Sequence, residues 1–561
     1  MRHPQDGLES AGAWRLNGVK LALLKVALGG LFGKKGAGKA AISTSAKPTG
    51  PFTGLPIPPS WKVVERYALV PPFAYAAIVE DPATGIRRYY LDEVALSEQE
   101  AAIFSRLLGM LESELSVPKD SLEPAKYLAE QVRRIAYKYG IRASSISWSK
   151  ILYYLKRDLA GFGILEGIMH DPFIEDISLN ALSRPLFVYH RRYENLETNI
   201  SFTDEAQLDD MISRLCHLAG KHVSTAFPVV QGTLPGRHRL IATFKREVSP
   251  YGATFTIRKF REDPITIIDM LNMNVVSHKL AAYLWLMMQN RATAIVVGST
   301  GAGKTTMLNA LLTLTKLTNK IVTIEEVQEI NIAHPNWTAL VSRESYAKME
   351  EGAKEIGLFD LVKAAMRMRP DIIVVGEVRG EEAYVLFQAI STGHGGLCSL
   401  HADDAASAIQ RLTSKPMDVP PSFIPFLDLV VTVSRVSLPQ QAGGFRMVRR
   451  VLSVDEVLGV GSYTQVFRWD PVGDRYEEMP LATTSKKLPR LAAQLGVKVE
   501  ELVQEIERRA LILRWIQNKG IRNFRDLSSL LAEYIDRPQE VYQRAQRELM
   551  LGSFERVEAV A

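Results

Sequence analysis

The chain has little cysteine and no long apolar run. Cys216 and Cys398 are its two cysteines among 561 residues and form no CxxC pair. This argues against a disulfide framework and against a zinc module, and fits a reducing compartment. No segment reaches the roughly eighteen apolar residues of a membrane span, since the nearest approach, Phe423–Val433, is short and contains Pro425 and Asp428. The net charge of +6 is moderate, so it permits an anionic partner such as a membrane or nucleic acid without requiring one.

A glycine-rich loop between an apolar strand and a leucine-rich helix is the feature around which the chain is organised. Residues 298–305 read GSTGAGKT and fit G-x-x-x-x-G-K-[ST] at every fixed position, and Ile295–Val297 supplies the strand that precedes such a loop. We expect Lys304 to reach the β- and γ-phosphates and the Thr305 hydroxyl to ligate Mg²⁺. The residues predicted to bind nucleotide are Gly298, Ser299, Thr300, Gly301, Ala302, Gly303, Lys304, Thr305 and Thr306. The sequence therefore predicts an ATP- or GTP-binding protein with Mg²⁺ as its cofactor.

Residues 1–60 form a basic tail rich in glycine and proline. Within it, Trp14–Phe32 is apolar but interrupted by lysines, a pattern typical of a helix that lies on an anionic membrane surface; a disordered basic tail is the alternative. The segment Gly33–Ala40 nearly copies the phosphate loop, but alanine stands where the Mg²⁺ ligand belongs and no strand precedes it. We therefore do not expect a second nucleotide site.

Residues 61–155 and 156–265 are predicted to form two parts of an N-terminal region. The first part has three short strand patterns followed by helical periodicity, and the second alternates helix and strand as a compact α+β domain does. The second part is rich in arginine, and an arginine from a neighbouring domain can enter a phosphate site; a solvated basic face is the alternative. These arginines are Arg237, Arg239, Arg246, Arg258 and Arg261.

A strand after the loop ends in carboxylates. Lys320–Ile324 is followed by Glu325, Glu326 and Glu329, and carboxylates at the carboxyl end of a parallel strand lie where nucleotides bind in doubly wound sheets. One of them could orient the attacking water or accept its proton. An acidic loop without a catalytic role is the alternative.

Another strand, Ile372–Val375, ends in Gly376 and Glu377. Placed beside the phosphate-loop strand, it would carry the acidic residue of a Walker B motif, with Glu377 holding Mg²⁺ through water or polarising the attacking water. His394 and His401 bracket the next strand. Glycine-rich flanks and the lack of a third ligand argue against zinc, so we expect polar contacts that sense phosphate; two satisfied histidines near a loop are the alternative.

Four segments, taken in order, resemble the motifs of the type II/type IV secretion ATPase superfamily. GSTGAGKTT resembles its Walker A loop, TIEEVQEI its Asp box, RPDIIVVGEVRG its atypical Walker B motif and TGHGGLCSLHA its His box. GFGILEGIMHDPFIEDISLN and LPGRHR resemble its N-terminal domain. YHRRYENLETNI, FTIRKFREDPITIIDM and AAYLWLMM resemble the archaeal branch that drives archaellum and type IV pilus assembly.

The resemblance implies an α/β fold with three parts. Residues 266–483 would form a RecA-like P-loop ATPase domain, preceded by the α+β N-terminal domain and followed by a helical C-terminal subdomain, residues 484–561. It also implies a hexameric ring ATPase, cytoplasmic and peripheral at the inner face of the cell membrane, that works a polytopic membrane platform protein. Peripheral contact with anionic lipid fits this placement, and no nucleic acid partner is expected.

The resemblance also assigns roles to single residues. Lys304 and Thr305 match the Walker A pair, and the candidate arginines Arg237, Arg239 and Arg258 lie in the region that supplies the family's arginine contacts to nucleotide. Glu329 matches the last glutamate of the Asp box, the favoured catalytic carboxylate there, and Glu377 matches the Walker B glutamate. The box lacks the family's frequent Glu-Asp-Pro wording, and the tetracysteine zinc insert of bacterial secretion members is absent, so no zinc is expected. Two alternatives stay open: conjugation-type transport of DNA or protein, and a nucleotide-gated scaffold with little turnover.

Overall fold

The computed structural model describes two compact units. The first ends at Phe260 and the second begins at Arg261. The residues described are 57–58, 60–114, 124–261, 263–343, 356–439 and 444–558. The predicted membrane-surface helix Trp14–Phe32 lies outside these residues. No helix within the described ranges combines the length and the apolar character that crossing a membrane requires.

A mixed nine-stranded sheet organises the described part of the first unit. Its spatial order is β1-β2-β3-β6-β5-β4-β9-β8-β7. The strands are β1 Lys62–Val70, β2 Ala74–Glu80, β3 Arg87–Glu93, β4 Ile174–Leu179, β5 Pro185–His190, β6 Glu194–Ser201, β7 Val229–Leu234, β8 His238–Thr243 and β9 Thr254–Arg258. All neighbours pair antiparallel except β3 and β6, which pair in parallel.

The β3–β6 pairing joins regions that the sequence divides at residues 155 and 156. Side chains from β2 and β3, such as Ile78 and Tyr89, share one buried cluster with Ile177 of β4 and Ile257 of β9. The predicted boundary between residues 61–155 and 156–265 therefore falls inside a single contact unit and a single sheet. Local composition does not report this pairing, because the partner strand lies about a hundred residues away along the chain.

Helices complete the first unit. Three of them pack around their own small core, which includes Leu107, Val132 and Ile151. The α-helices are α1 Glu98–Glu114, α2 Pro124–Lys138, α3 Ser145–Leu155, α4 Glu166–Met169 and α5 Glu205–Leu218, with a π-helix at Lys156–Ala160 and 3₁₀ turns at Gly163–Leu165 and Pro235–Arg237.

The second unit is built on another nine-stranded sheet of the described residues, with the order β12-β11-β13-β14-β10-β15-β16-β17-β18. From β12 to β15 the strands are parallel, and from β15 to β18 they are antiparallel. The strands are β10 Ala294–Val297, β11 Ile321–Glu325, β12 Trp337–Val341, β13 Ile372–Val375, β14 Gly395–Leu400, β15 Leu429–Pro439, β16 Phe445–Gly459, β17 Ser462–Asp470 and β18 Arg475–Glu478.

The central parallel strands are short and apolar because helices cover both faces of this part of the sheet. Every residue of β10, β11, β13 and β14 is buried. One detail differs from the sequence prediction: β14 lies between the phosphate-loop strand β10 and the Walker B strand β13, so those two strands do not touch. The carboxyl ends of the four strands still meet at one edge, where the loops that follow them converge.

Helices cover this sheet, and the chain is mainly helical from Leu481 onwards, as the sequence predicts. The α-helices are α6 Ile267–Asn272, α7 His278–Gln289, α8 Lys304–Leu312, α9 Leu358–Met366, α10 Glu382–Ser391, α11 Ala405–Thr413, α12 Leu481–Thr484, α13 Lys487–Leu495, α14 Val499–Asn518, α15 Phe524–Asp536 and α16 Pro538–Glu558, with a 3₁₀ helix at Pro421–Phe426. Leu513 and Ile516 of α14 share the large core that contains Trp285 of α7. The C-terminal helices therefore belong to the same folded unit as the parallel sheet.

Candidate nucleotide site

The phosphate loop connects β10 to α8 in a conformation that its glycines permit. Gly301 and Gly303 adopt positive φ angles of 73° and 100°, which side-chain-bearing residues rarely adopt. A Cβ atom on Gly298 would lie 2.2 Å from the Val433 carbonyl oxygen of β15, so the loop leaves the strand through a gap that only glycine fits. Helix α8 then begins at Lys304, and its amino end points its free N–H groups toward the loop.

Lys304 is buried at the first position of α8 with its ammonium turned into the loop. Its Nζ donates to the carbonyl oxygens of Gly298 and Ser299, at 3.0 and 3.1 Å, and lies 3.2 Å from His401 Nδ1. Burial lowers the pKa of Lys304, while the Glu377 carboxylate opposes that shift. The ammonium is thus positioned by neutral acceptors, which a phosphate oxygen can replace at little cost.

His401 links the lysine to the Walker B glutamate. Since Lys304 Nζ has no acceptor capacity, the 3.2 Å contact requires Nδ1 to accept. The proton of the neutral imidazole then lies on Nε2, which is 2.8 Å from Glu377 Oε1. Burial and the Lys304 charge lower the pKa of His401, in keeping with the neutral form. Lys304 begins α8, His401 directly follows β14, and Glu377 lies just after β13.

Glu377 is also paired with Arg379, two residues further along the chain. The same guanidinium lies 3.5 Å from Glu326, which follows β11. The pairing with Glu377 raises the pKa of Arg379, so this residue stays charged. Sequence reasoning identified Glu377 but not Arg379, although the two lie in one motif. The amino-acid sequence does not show that the Arg379 side chain folds back onto the Glu377 carboxylate.

Glu325 is the carboxylate of the acidic loop that the fold buries. It is the last residue of β11, and its Oε1 accepts hydrogen bonds from the backbone N–H groups of Glu329 and Ile330, at 3.0 and 2.9 Å. Its Oε2 is buried and has no hydrogen-bond partner among the described residues. Burial raises the pKa of Glu325 to about 7, against the lowering effect of those two backbone groups. A carboxyl group of this kind is suited to proton exchange near neutral pH.

Glu329, which the resemblance favours as the catalytic carboxylate, is exposed in the loop after β11. Its backbone holds the Glu325 side chain, while its own carboxylate faces solvent at the same edge. Sequence reasoning could have identified Glu325, because it directly follows the β-branched residues of β11 without a break. A residue that continues such a strand in a parallel sheet is expected to be buried. The structure therefore brings both glutamates to the site in different surroundings.

The residues at this edge fit a Mg²⁺ ion held with a nucleotide. Thr305 and Thr306 are half-buried in the first turn of α8, and Glu325 Oε2 is a buried oxygen without a partner among the described residues. No group of three or more metal-ligating side chains occurs in the described part of the chain. Mg²⁺ bound with phosphates needs only one or two protein ligands and keeps several waters, so the hydroxyl of Thr305 and a nearby carboxylate suffice.

His394 does not lie at this site. It precedes β14, whereas His401 follows it, so a strand of six residues separates the two rings. His394 Nδ1 contacts the carbonyl oxygen of Ala389 at 3.0 Å and Thr392 Oγ1 at 3.1 Å, at the end of α10. Within this chain, His401 therefore lies at the phosphate edge and His394 at the opposite edge; that both histidines sense phosphate stays a prediction.

The three candidate arginines of the first unit differ in their surroundings. Arg237 has a φ of 65° in a turn and lies over the Phe260 ring, 5.4 Å from its centroid. Arg239 and Arg258 are directly opposite each other on β8 and β9. Arg258 Nε lies 3.4 Å from Asp176, whereas the buried Nε of Arg239 has no partner among the described residues.

Residues 158–425 match the family model described as "Type II/IV secretion system protein". The chain is 36% identical over 397 residues to an uncharacterized protein of Methanocaldococcus jannaschii, covering 69% of this chain and 70% of that protein. It is 28% identical over 260 residues to the conjugal transfer protein TrbB of Rhizobium radiobacter, covering 45% and 75%. A crystal structure of the pilus retraction motor PilT with bound ADP matches 49% of this chain and 78% of that chain, at 19% identity and a TM-score of 0.36.

Proposed function

Because the chain belongs to the type II/IV secretion system protein family, we propose that it is an ATP-hydrolysing motor. It assembles as a hexameric ring and powers assembly or movement of a type IV pilus-like filament, a pilus or archaellum, through a polytopic membrane platform protein. The observation that carries the ATPase proposal is the contact chain from Lys304 through His401 to Glu377 at the edge of the parallel sheet.

The residues of this edge divide the work of phosphoryl transfer. The loop N–H groups and Lys304 hold the phosphates, and Mg²⁺, when bound with Thr305, neutralises charge on their oxygens. Glu377 orients the attacking water, and Glu325 or Glu329 accepts its proton. His401 lies between the lysine and Glu377, so that a phosphate drawing the ammonium outward also changes the electrostatic surroundings of the imidazole and of the carboxylate beside it.

Arg239 and Arg258 support a site shared between subunits. Like charges directly opposite each other on neighbouring strands repel, and the Nε of Arg239, which has no partner within the described part of the chain, is suited to an anion. In a ring, this pair on one subunit would reach the transferring phosphoryl group of its neighbour and stabilise its charge. We favour Arg239 as the principal contact, because Asp176 already partly neutralises Arg258.

The cargo proposal has one competitor. The alignment with the protein of Methanocaldococcus jannaschii spans 69% of this chain and 70% of that protein, in agreement with the motifs that resemble the archaeal branch. The similarity to a conjugal transfer protein instead favours transport of DNA or protein. We propose the filament motor, cytoplasmic and peripheral at the inner face of the membrane. If the gene is deleted in the source organism, surface filaments should disappear and return with the wild-type gene but not with Glu377→Gln. Intact filaments with lost DNA or protein transfer would favour the alternative.

The ATPase proposal is tested by phosphate release from ATP. The full chain should hydrolyse ATP, and Lys304→Ala and Glu377→Gln should each lower the rate by about 100-fold or more, since each removes a group that acts on the transition state. Glu507→Gln serves as the control, because Glu507 forms an exposed ion pair with Lys279 on the helical side of the unit. Tight ATP binding without turnover in the wild type would indicate the nucleotide-gated scaffold instead.

A further inference from the structure

Two arginines of the second unit lie beside the phosphate loop, although none of the family motifs contains them. They are Arg435 on β15 and Arg449 on β16, which are directly opposite each other in the antiparallel pairing. Since directly opposed residues share a face of the sheet, both side chains are on one side of the hairpin. Both residues are exposed.

Both side chains reach the backbone of the loop. Arg449 Nε donates to the Gly301 carbonyl oxygen at 3.3 Å, and its Cδ lies 3.3 Å from the position of a Cβ on Gly303. Arg435 Nη1 lies 3.9 Å from the corresponding position on Gly301. The glycines therefore bring the loop backbone close to both guanidinium groups.

Neither guanidinium has a carboxylate partner among the described residues. The neighbouring Arg450 shows the contrast: it points to the opposite face, is buried, and is held by Asp474 at 2.7 Å. Two like charges directly opposite each other on neighbouring strands are destabilising. Arg435 and Arg449 thus place two guanidinium groups side by side, next to a loop expected to bind anions. No carboxylate of the described residues neutralises their charges.

We propose that Arg435 and Arg449 bind the phosphate groups of the nucleotide held by the loop of the same chain. This inference rests on the proposed nucleotide-binding function and adds to it a pair of cationic contacts in cis. A nucleoside di- or triphosphate offers several anionic oxygens to planar guanidinium donors, and its charge removes the repulsion between the two arginines. Nucleoside monophosphates, which lack the phosphates cradled by the loop, gain little from the pair.

Equilibrium titration of the full chain with fluorescent ADP and ATP analogues in Mg²⁺ buffer tests the proposal. Arg435→Ala and Arg449→Ala should each weaken both affinities by about tenfold, the effect of losing a charge-assisted hydrogen bond. Arg446→Ala is the matched control, since Arg446 is exposed on the same strand, pairs with Leu438 rather than with an arginine, and lies three residues from Arg449. Its affinities should stay within twofold of wild type.

Inorganic tripolyphosphate distinguishes a phosphate contact from a role in loop structure or in base binding. It should compete with the fluorescent ATP analogue, and both alanine variants should weaken this competition by the same factor as they weaken ATP. Arg449→Lys, which keeps the charge, should recover part of the loss. Unchanged tripolyphosphate affinity in the alanine variants, or affinities for ADP and ATP within twofold of wild type, would overturn the inference. If the wild type itself binds no nucleotide, the proposed function fails, which is a separate result.

Discussion

At the scale of single residues, the site depends on how three neighbouring strand ends place one lysine, one histidine and one glutamate. Lys304 and Glu377 follow from motifs in the sequence. The role of His401 does not, because the sequence places His394 and His401 at the two ends of one strand and does not show which of them reaches the lysine. The fold separates the two histidines by the length of β14 and gives only His401 contacts with Lys304 and Glu377.

This difference predicts unequal effects of two similar substitutions. His401→Ala should lower kcat for ATP hydrolysis by about tenfold to 100-fold, because it removes the imidazole that lies between Lys304 and Glu377 in the preorganised site. His394→Ala should leave kcat within twofold, since the hydrogen-bonding contacts of its ring with the described residues are to Ala389 and Thr392 at the other edge. Steady-state kinetics of both variants measure this. Equal losses would contradict the placement of the site.

The buried Glu325 predicts a pH dependence. Its pKa of about 7 means that the carboxylate form grows as the pH rises from 6 to 8. If this carboxylate accepts a proton from water, kcat should climb through that range, with an apparent pKa near 7. Glu325→Gln should remove this rise and lower kcat, whereas Glu326→Gln, at an exposed neighbour, should keep the profile. A wild-type profile that is flat from pH 6 to 8 would exclude Glu325 as the titrating group.

At the scale of elements, the loop geometry depends on glycine at position 298, where the loop passes the backbone of β15. Gly298→Ala places a Cβ against the Val433 backbone oxygen, 2.2 Å away, so β15 or the loop has to shift. We expect nucleotide affinity to fall at least about tenfold, since the loop N–H groups lose their common direction. Gly459→Ala is the control, because a Cβ there meets nothing within 4 Å. Titration with a fluorescent ADP analogue measures the affinity of each variant. Equal affinities of the two variants would show that the approach of Gly298 to β15 tolerates a Cβ atom.

A buried glutamate connects the C-terminal helices to the sheet through hydrogen bonds. Glu456 of β16 is fully buried and accepts hydrogen bonds from Tyr283 of α7, from Ser485, and from the backbone N–H groups of Lys486 and Lys487 at the start of α13. A carboxylate at the amino end of a helix is favourable for the helix dipole. The contacts connect three elements that are far apart in the sequence.

Removing this charge should destabilise the second unit. Glu456→Gln leaves buried donors without a matching acceptor, a loss of about 2 kcal/mol or more, which corresponds to a fall in Tm of several degrees. Glu505→Gln is unsuitable as a control, because the half-buried Glu505 pairs with the buried Arg509. Glu540→Gln, on an exposed side chain of α16, should change Tm by a degree or less. Similar shifts in both variants would contradict the proposed role of Glu456.

Most elements were predictable where local pattern and tertiary context agree. The parallel strands β10, β11, β13 and β14 are continuous apolar runs, and the C-terminal helices have clear periodicity. Strands β6 and β17 were not predicted. Their sequences, ENLETNIS and SYTQVFRWD, contain many polar residues, and their pairing with β5 and β16 supplies what local preference does not. The acidic loop could be located, but the burial of Glu325 within it required the sheet.

At the scale of the whole molecule, the chain contains two folded units that each present a cross-strand arginine pair. Arg239 and Arg258 belong to the first unit, and Arg435 and Arg449 to the second. Only the second pair accompanies a phosphate loop within its own unit. In the proposed ring, the first pair completes the site of a neighbouring subunit, and hydrolysis there depends on assembly.

The most direct test of this account is the ATPase rate per subunit, measured as a function of protein concentration. For the wild type, we predict a rate that climbs with concentration and then reaches a plateau as rings form. Arg239→Ala should stay low at every concentration, while Arg246→Ala, which loses only an exposed pair with Glu205, should follow the wild type. A wild-type rate per subunit that does not change with concentration, together with full activity of Arg239→Ala, would mean that each chain holds a complete site and would contradict the shared-site motor.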